Sequence, residues 1–120
     1  MKLKSEIIIG CMSWGVWGKK LTTKDQAALI QFCVENGNTI FDHADIYGNY
    51  TTEAEFGQAF LETGLQREDV NLISKCGIQL TNQERGSSVK HYNYAKEYII
   101  SSAEASLKNL KTDYLDTFLL

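Results

Sequence analysis

The stretch TIFDHADIYGNYTTEAEFG (39–57) passes from a short apolar run, TIFD, through a loop dense in ionisable groups into a helix-like segment. The run is too short for a helix and rich in β-branched and aromatic residues, which favours a strand. In the segment that follows, Thr52 and Glu55 stand at capping-box spacing, Phe56, Ala59 and Phe60 share one face, and Gly64 ends the pattern. A strand feeding directly into an amphipathic helix is the unit of a parallel α/β sheet. Asp42, His43, Asp45 and Tyr47 crowd the junction between the two.

Three more short apolar runs flank this stretch: EIIIGC (6–11), NLISK (71–75) and LDTFLL (115–120). They are nearly continuous rather than alternating, which is how strands buried on both faces read. Two more helices are expected. One covers about 23–35, with Thr23 and Gln26 as its capping box, Ile30, Cys33 and Val34 on its apolar face and Gly37 as its stop. The other covers about 94–110, with Ile100, Ala103, Leu107 and Leu110 as its stripe. The order βαβαβαβ implies right-handed crossovers and a parallel sheet covered by helices. Between the third strand and the last helix, CGIQLTNQERGSSVKHYN (76–93) reads as a long polar loop, a length usually reserved for function or mobility. No helix follows TFLL, so the chain is expected to be the front half of something larger.

With 120 residues, 43% of them apolar and 22% charged, the chain has the make-up of one small soluble domain with a core. A net charge of −3 and scattered Lys and Arg argue against nucleic acid and anionic membranes, leaving a small molecule as the expected partner. Cys11, Cys33 and Cys76 are odd in number and lack CxxC spacing, against both a disulfide framework and zinc, and a reducing cytoplasm fits them. MKLKSEIIIGC (1–11) has the outline of an exported lipoprotein leader, but Glu6 interrupts it and IIIG is shorter than the roughly 7 apolar residues a leader needs. No run approaches the ~20 apolar residues of a membrane span. His43, Asp45 and His91 lack a third ligand at a familiar spacing, so no metal is expected.

Parallel α/β sheets bind ligands beyond the carboxyl ends of their strands. Asp42 ends the second strand and Lys75 the third. Neighbouring strands lie about 4.8 Å apart, so the two side chains can meet, and Tyr47 can fold over the same mouth. A free tyrosine, with pKa ~10, is a poor acid near neutral pH unless a cation stabilises the phenolate. Lys75 would be that cation and Asp42 its partner, making Tyr47 a tuned proton donor. Singly, each has a bland reading as turn residue, solvated lysine or packing tyrosine; together the functional reading leads. Glu53 and Glu55 read as capping and helix-dipole residues. Cys76 reads as loop packing rather than a reactive thiol, and Asp45 and His43 as support for their neighbours. Trp14, Trp17, Tyr92 and Tyr94 either line a pocket or pack.

At these residues the sequence resembles the aldo-keto reductases. DHADIYG (42–48) matches that family's Asp and Tyr-Gly signature, EAEFG (53–57) its following Glu and Gly, and Lys75 in ISKCG (73–77) its third-strand lysine. IGCMSWG (9–15) resembles the loop after the first strand and TDYLDTFLL (112–120) the fourth strand, so the likeness covers essentially the whole chain in order. It implies a (β/α)8 TIM barrel, of which 1–120 is the N-terminal half of a single domain, reducing small-molecule aldehyde or ketone carbonyls with NADP(H). By the resemblance Tyr47 is the proton donor, Lys75 lowers its pKa, and Asp42 holds Lys75 and touches the cofactor. Cys11 and Met12 carry over as nicotinamide contacts. The family's catalytic His would follow directly after Leu120. The rival reading is a non-catalytic barrel that senses the cofactor or docks a partner. As a half barrel the chain is expected to be inactive alone, and to dimerise through the edges of its first and fourth strands or be unstable.

Overall fold

The computed structural model describes residues 6–120, so the basic opening of the leader-like stretch, residues 1–5, lies outside the described residues. Four strands, β1 (Ile8–Gly10), β2 (Ile40–Asp42), β3 (Asn71–Lys75) and β6 (Thr117–Leu119), form one parallel sheet in the order β1-β2-β3-β6. Each crossover steps one strand in the same direction, so the connecting helices α1 (Thr23–Glu35), α3 (Thr52–Thr63) and α4 (Lys96–Leu110) gather side by side. Between sheet and helices lies the core, with Phe41, Phe56, Ile30 and Leu72 at its centre. The βαβαβαβ order is as expected. Burial on both strand faces holds for the central strands, where neighbouring Ile40 and Phe41 of β2 and Asn71 and Leu72 of β3 are all buried, and fails at the outer strands, where Ile8 and Leu119 are exposed.

The helix starts differ from their expected caps. At α1 the cap is Thr22, one residue early, its side chain accepting from the Asp25 N–H at 3.1 Å. Gln26 turns inward instead and donates to the Leu21 carbonyl. At α3 there is no side-chain cap; Thr52 is buried, and Thr51 donates to the Gly48 carbonyl at 2.6 Å. A buried face of α4 is formed by Ser102, Ser106 and Leu110, while Ile100, expected in the apolar stripe, is exposed. Small residues prevail there because α4 approaches α3 closely.

Gly57 marks that approach: a Cβ on it would stand 2.3 Å from the Asn109 carbonyl oxygen and 3.0 Å from the Leu110 backbone. Backbone cannot yield as a side-chain tip can, so Gly57→Ala should force the helices apart and cost about 1–3 kcal/mol of stability. Urea unfolding checks this; a variant as stable as the parent would show that the helices separate freely.

The 76–93 segment is not a structureless loop. It folds as an antiparallel pair, β4 (Ile78–Gln79) with β5 (His91–Tyr92), extended by a bridge between Asn82 and Ser87. A short turn, α2 (Tyr47–Tyr50), links β2 to α3.

Candidate active site

Asp42 pairs with Ile73 in the β2–β3 register, which sets Lys75 two residues further along β3 at the same open mouth. Lys75 Nζ donates to Asp42 Oδ1 at 2.8 Å and to the His43 carbonyl at 2.8 Å, and lies 5.1 Å from the centre of the Tyr47 ring. The pair is partly solvated, with side chains 31% and 30% exposed. Burial works against the ammonium, but the hydrogen bonds and charges of Asp42 and Tyr47 outweigh it and hold the Lys75 pKa above its ordinary value. Asp42, Tyr47 and Lys75 are thus brought together.

Tyr47 is presented by an unusual turn. Gly48, Asn49 and Tyr50 all have left-handed backbone, with φ of 64°, 54° and 71°. Glycine accepts this freely, whereas a non-glycine residue loses about 1–2 kcal/mol. Gly48 also has no room for a side chain, since a Cβ would stand 2.4 Å from Thr52 Oγ1. Trp17 meets the Tyr47 ring edge-on at 6.4 Å.

A cleft of about 350 Å³ opens here, lined among others by Asp45, Tyr47, Lys75, Ile78, Tyr92 and Tyr94. Another hollow, about 480 Å³ beside Phe60, Leu65 and Lys111, has none of the trio in its walls. The four aromatic residues divide: Trp14 packs in the core against Phe41 and Phe56, while Tyr92 and Tyr94 stack at 6.0 Å on the cleft wall. Cys11 is buried in the core, and its N–H donates to the Asp42 carbonyl at 3.1 Å. Burial, with Asp42 close by, pushes its thiol pKa well up. Met12 beside it is exposed.

Several buried polar groups around the trio have roles their local sequence conceals. Glu53 is no helix-dipole residue on the surface: it is 2% exposed and accepts from Ser74 Oγ at 2.7 Å and Ser106 Oγ at 2.9 Å, tying β3 to α4. Burial raises its pKa. Asp45, 8% exposed, donates its backbone N–H to the Lys75 carbonyl at 3.1 Å, and burial pushes its carboxyl up to about 6. Cys76 is buried too, and its thiol is raised by burial and then by Asp45, which suits packing rather than reactivity.

His43 is fully buried with its ring edge-on to Phe56 at 4.3 Å, while His91 is exposed on β5. Among the described residues no three His, Cys, Asp or Glu side chains converge as metal ligands. Burial, and secondly Lys75, depress the His43 pKa to about 3, so the folded protein keeps the ring neutral where the unfolded chain protonates it. This group's contribution to stability is therefore lost as pH falls from about 6.5 toward 3. Asp45 acts oppositely: its folded form holds a proton between about 6 and 3.8, so its contribution grows as pH falls through that window. His43→Phe should accordingly gain about 2–3 kcal/mol over the parent on going from pH 7 to about pH 4.5. Urea midpoints at the two pH values measure it, and parallel shifts in both proteins would contradict it.

The Aldo/keto reductase family profile matches residues 6–120, and the chain belongs to that family. It is 44% identical over 118 residues to the uncharacterized oxidoreductase YcsN of Bacillus subtilis, a match over 97% of this chain and 38% of YcsN. The structure is similar to the aldo-keto reductase AKR11C1 from Bacillus halodurans in its holo form, with TM-score 0.72 and 30% identity over 95% of this chain and 35% of that one. It is also similar to an aldo-keto reductase from Klebsiella pneumoniae in complex with NADPH, with TM-score 0.65 and 25% identity over 94% of this chain and 34% of that one. The fold is therefore part of a TIM barrel of aldo-keto reductase type, and the chain spans less than two-fifths of the length of these relatives.

Proposed function

We propose that the protein carrying this chain reduces aldehyde or ketone carbonyls to alcohols with NADPH, with Tyr47 as proton donor. The observation that carries this reading is the 2.8 Å Lys75–Asp42 pair beside the Tyr47 ring at the mouth of the sheet. The residues at the mouth suit a nicotinamide cofactor. At Gly10, which ends β1 beside Asp42, nothing lies within 4 Å of a Cβ position, so a flat group has room there. Exposed Met12 offers an apolar contact, the Cys11 backbone adjoins it, and the half-exposed Asp42 carboxylate offers hydrogen-bond acceptors to a sugar hydroxyl.

When bound, the cofactor supplies the hydride that reaches the carbonyl carbon. Tyr47 hydrogen-bonds the carbonyl oxygen and gives it the phenolic proton as negative charge develops there. Lys75 lowers the cost of the phenolate left behind through its positive charge, and Asp42 keeps that charge in place. Tyr92 and Tyr94 stand exposed on the cleft wall, where a bound substrate would meet their rings. Three free buried thiols, Cys11, Cys33 and Cys76, support a cytoplasmic location.

A panel of aldehydes and ketones offered with NADPH to the full-length protein tests the reading: NADPH should be consumed and alcohol formed. NADPH binding without turnover across the panel would instead favour a cofactor-sensing or docking barrel.

A further inference from the structure

We propose that the β4–β5 hairpin fixes the proton donor, with Tyr50 and Arg85 acting as positioning residues that hold Tyr47 through the left-handed turn between them. The inference rests on the reading of Tyr47 as donor and concerns what keeps it in place.

Tyr47 opens the turn, and its carbonyl accepts from the Thr51 N–H at 3.2 Å, so rotation of the turn carries the phenol with it. Asn49 and Tyr50 adopt a backbone conformation that residues with side chains seldom choose, and such conformations persist only where surroundings impose them. Here the surroundings include the hairpin. The Leu80 N–H donates to Tyr50 Oη at 3.0 Å, Asn82 Nδ2 donates to Asn49 Oδ1 at 3.2 Å, and the Arg85 guanidinium lies 3.8 Å over the Tyr50 ring. Asn82 joins the last two contacts, since its Oδ1 also accepts from the Arg85 N–H at 3.1 Å.

The hairpin is itself braced. Asn82 and Ser87 exchange backbone hydrogen bonds of 2.8 and 3.0 Å, and the Asn93 N–H donates to the Gly77 carbonyl at 2.7 Å. It leaves the sheet directly after Lys75, at the end of β3. One segment therefore continues from the lysine at its root and grips the turn behind the tyrosine at its tip. The distance between the two is set by the hairpin as well as by the sheet. None of these contacts reaches the reacting atoms, so their loss should act on the chemical step and not on cofactor affinity.

The test uses the full-length protein, NADPH and an aldehyde that it reduces, with Tyr47 observed separately by NMR of 13C-labelled tyrosine. Arg85→Ala should lower kcat about ten- to hundredfold, leave KM for NADPH unchanged and broaden or shift the Tyr47 ring signal. Arg85→Lys, which keeps a cation over the ring, should recover much of the loss. Tyr50→Phe keeps the ring and loses only the acceptor for Leu80, so its fall in kcat should be smaller. Parental kcat and an unmoved Tyr47 signal in both Arg85→Ala and Tyr50→Phe would overturn the proposal. So would a loss in kcat that merely follows the unfolded fraction. A parent protein that reduces no carbonyl would defeat the reductase reading instead, while the Tyr47 signal would still decide the positioning.

Discussion

Tyr47→Phe should lower carbonyl reduction by about a thousandfold, within the range that a positioned acid contributes, while NADPH binding survives nearly unchanged. The substitution removes one oxygen and keeps the ring, so the edge contact with Trp17 at 6.4 Å and the 5.1 Å approach of Lys75 both remain available. The turn behind it, with Gly48 in left-handed backbone, is untouched. What is lost is the proton at the carbonyl oxygen, needed only as charge develops there. An interaction of that kind lowers kcat and kcat/KM together. Stopped-flow consumption of NADPH gives the rate and fluorescence titration the affinity. Turnover equal to the parent's would remove Tyr47 from the donor role.

Lys75→Met is the second large effect. The chain length is roughly kept, but Asp42 loses the partner at 2.8 Å and the His43 carbonyl loses its donor. The positive charge that stands 5.1 Å from the centre of the Tyr47 ring is then gone, and proton transfer from the phenol loses its support. We expect kcat to fall about a hundredfold or more, with a smaller change in NADPH affinity. Lys75→Arg should not restore the rate fully, because a planar guanidinium cannot reproduce a point charge held by two oxygens. Rates within a factor of about two of the parent for Lys75→Met would show that the cation does not assist the donor.

The parts of the fold and site that could be read in advance share a physical cause. Strand ends were legible because parallel neighbours put residues at fixed register, so Asp42 and Lys75 had to face one mouth. The span of α1, Thr23–Glu35, agrees with its expected range because an apolar face and a terminal glycine bracket it. Tyr47, five residues beyond Asp42, is within reach of the same mouth, and the structure brings all three together.

What was hidden depends on contacts distant in sequence. Glu53 looks like a first-turn acid on a helix surface, and only β3 and α4, through Ser74 and Ser106, make it a buried acceptor. Apolar periodicity put Ile100 inward on α4, whereas the close approach at Gly57 favoured the serine face. The hairpin leaves no mark in the sequence because its strands are two residues each, and polar sequence of that length reads as loop. His43 sits next to a catalytic candidate in sequence, yet its ring belongs to the core against Phe56.

If this site directs hydride to a carbonyl carbon, the transferred atom can be followed as an isotope. The full-length protein would be given NADPH deuterated on the transferred position of C4, together with an aldehyde it consumes. Mass spectrometry of the alcohol should find one deuterium on the carbinol carbon, formed in the parent and absent with Tyr47→Phe over the same interval. Alcohol lacking the label, or equal labelled product from Tyr47→Phe, would contradict the account.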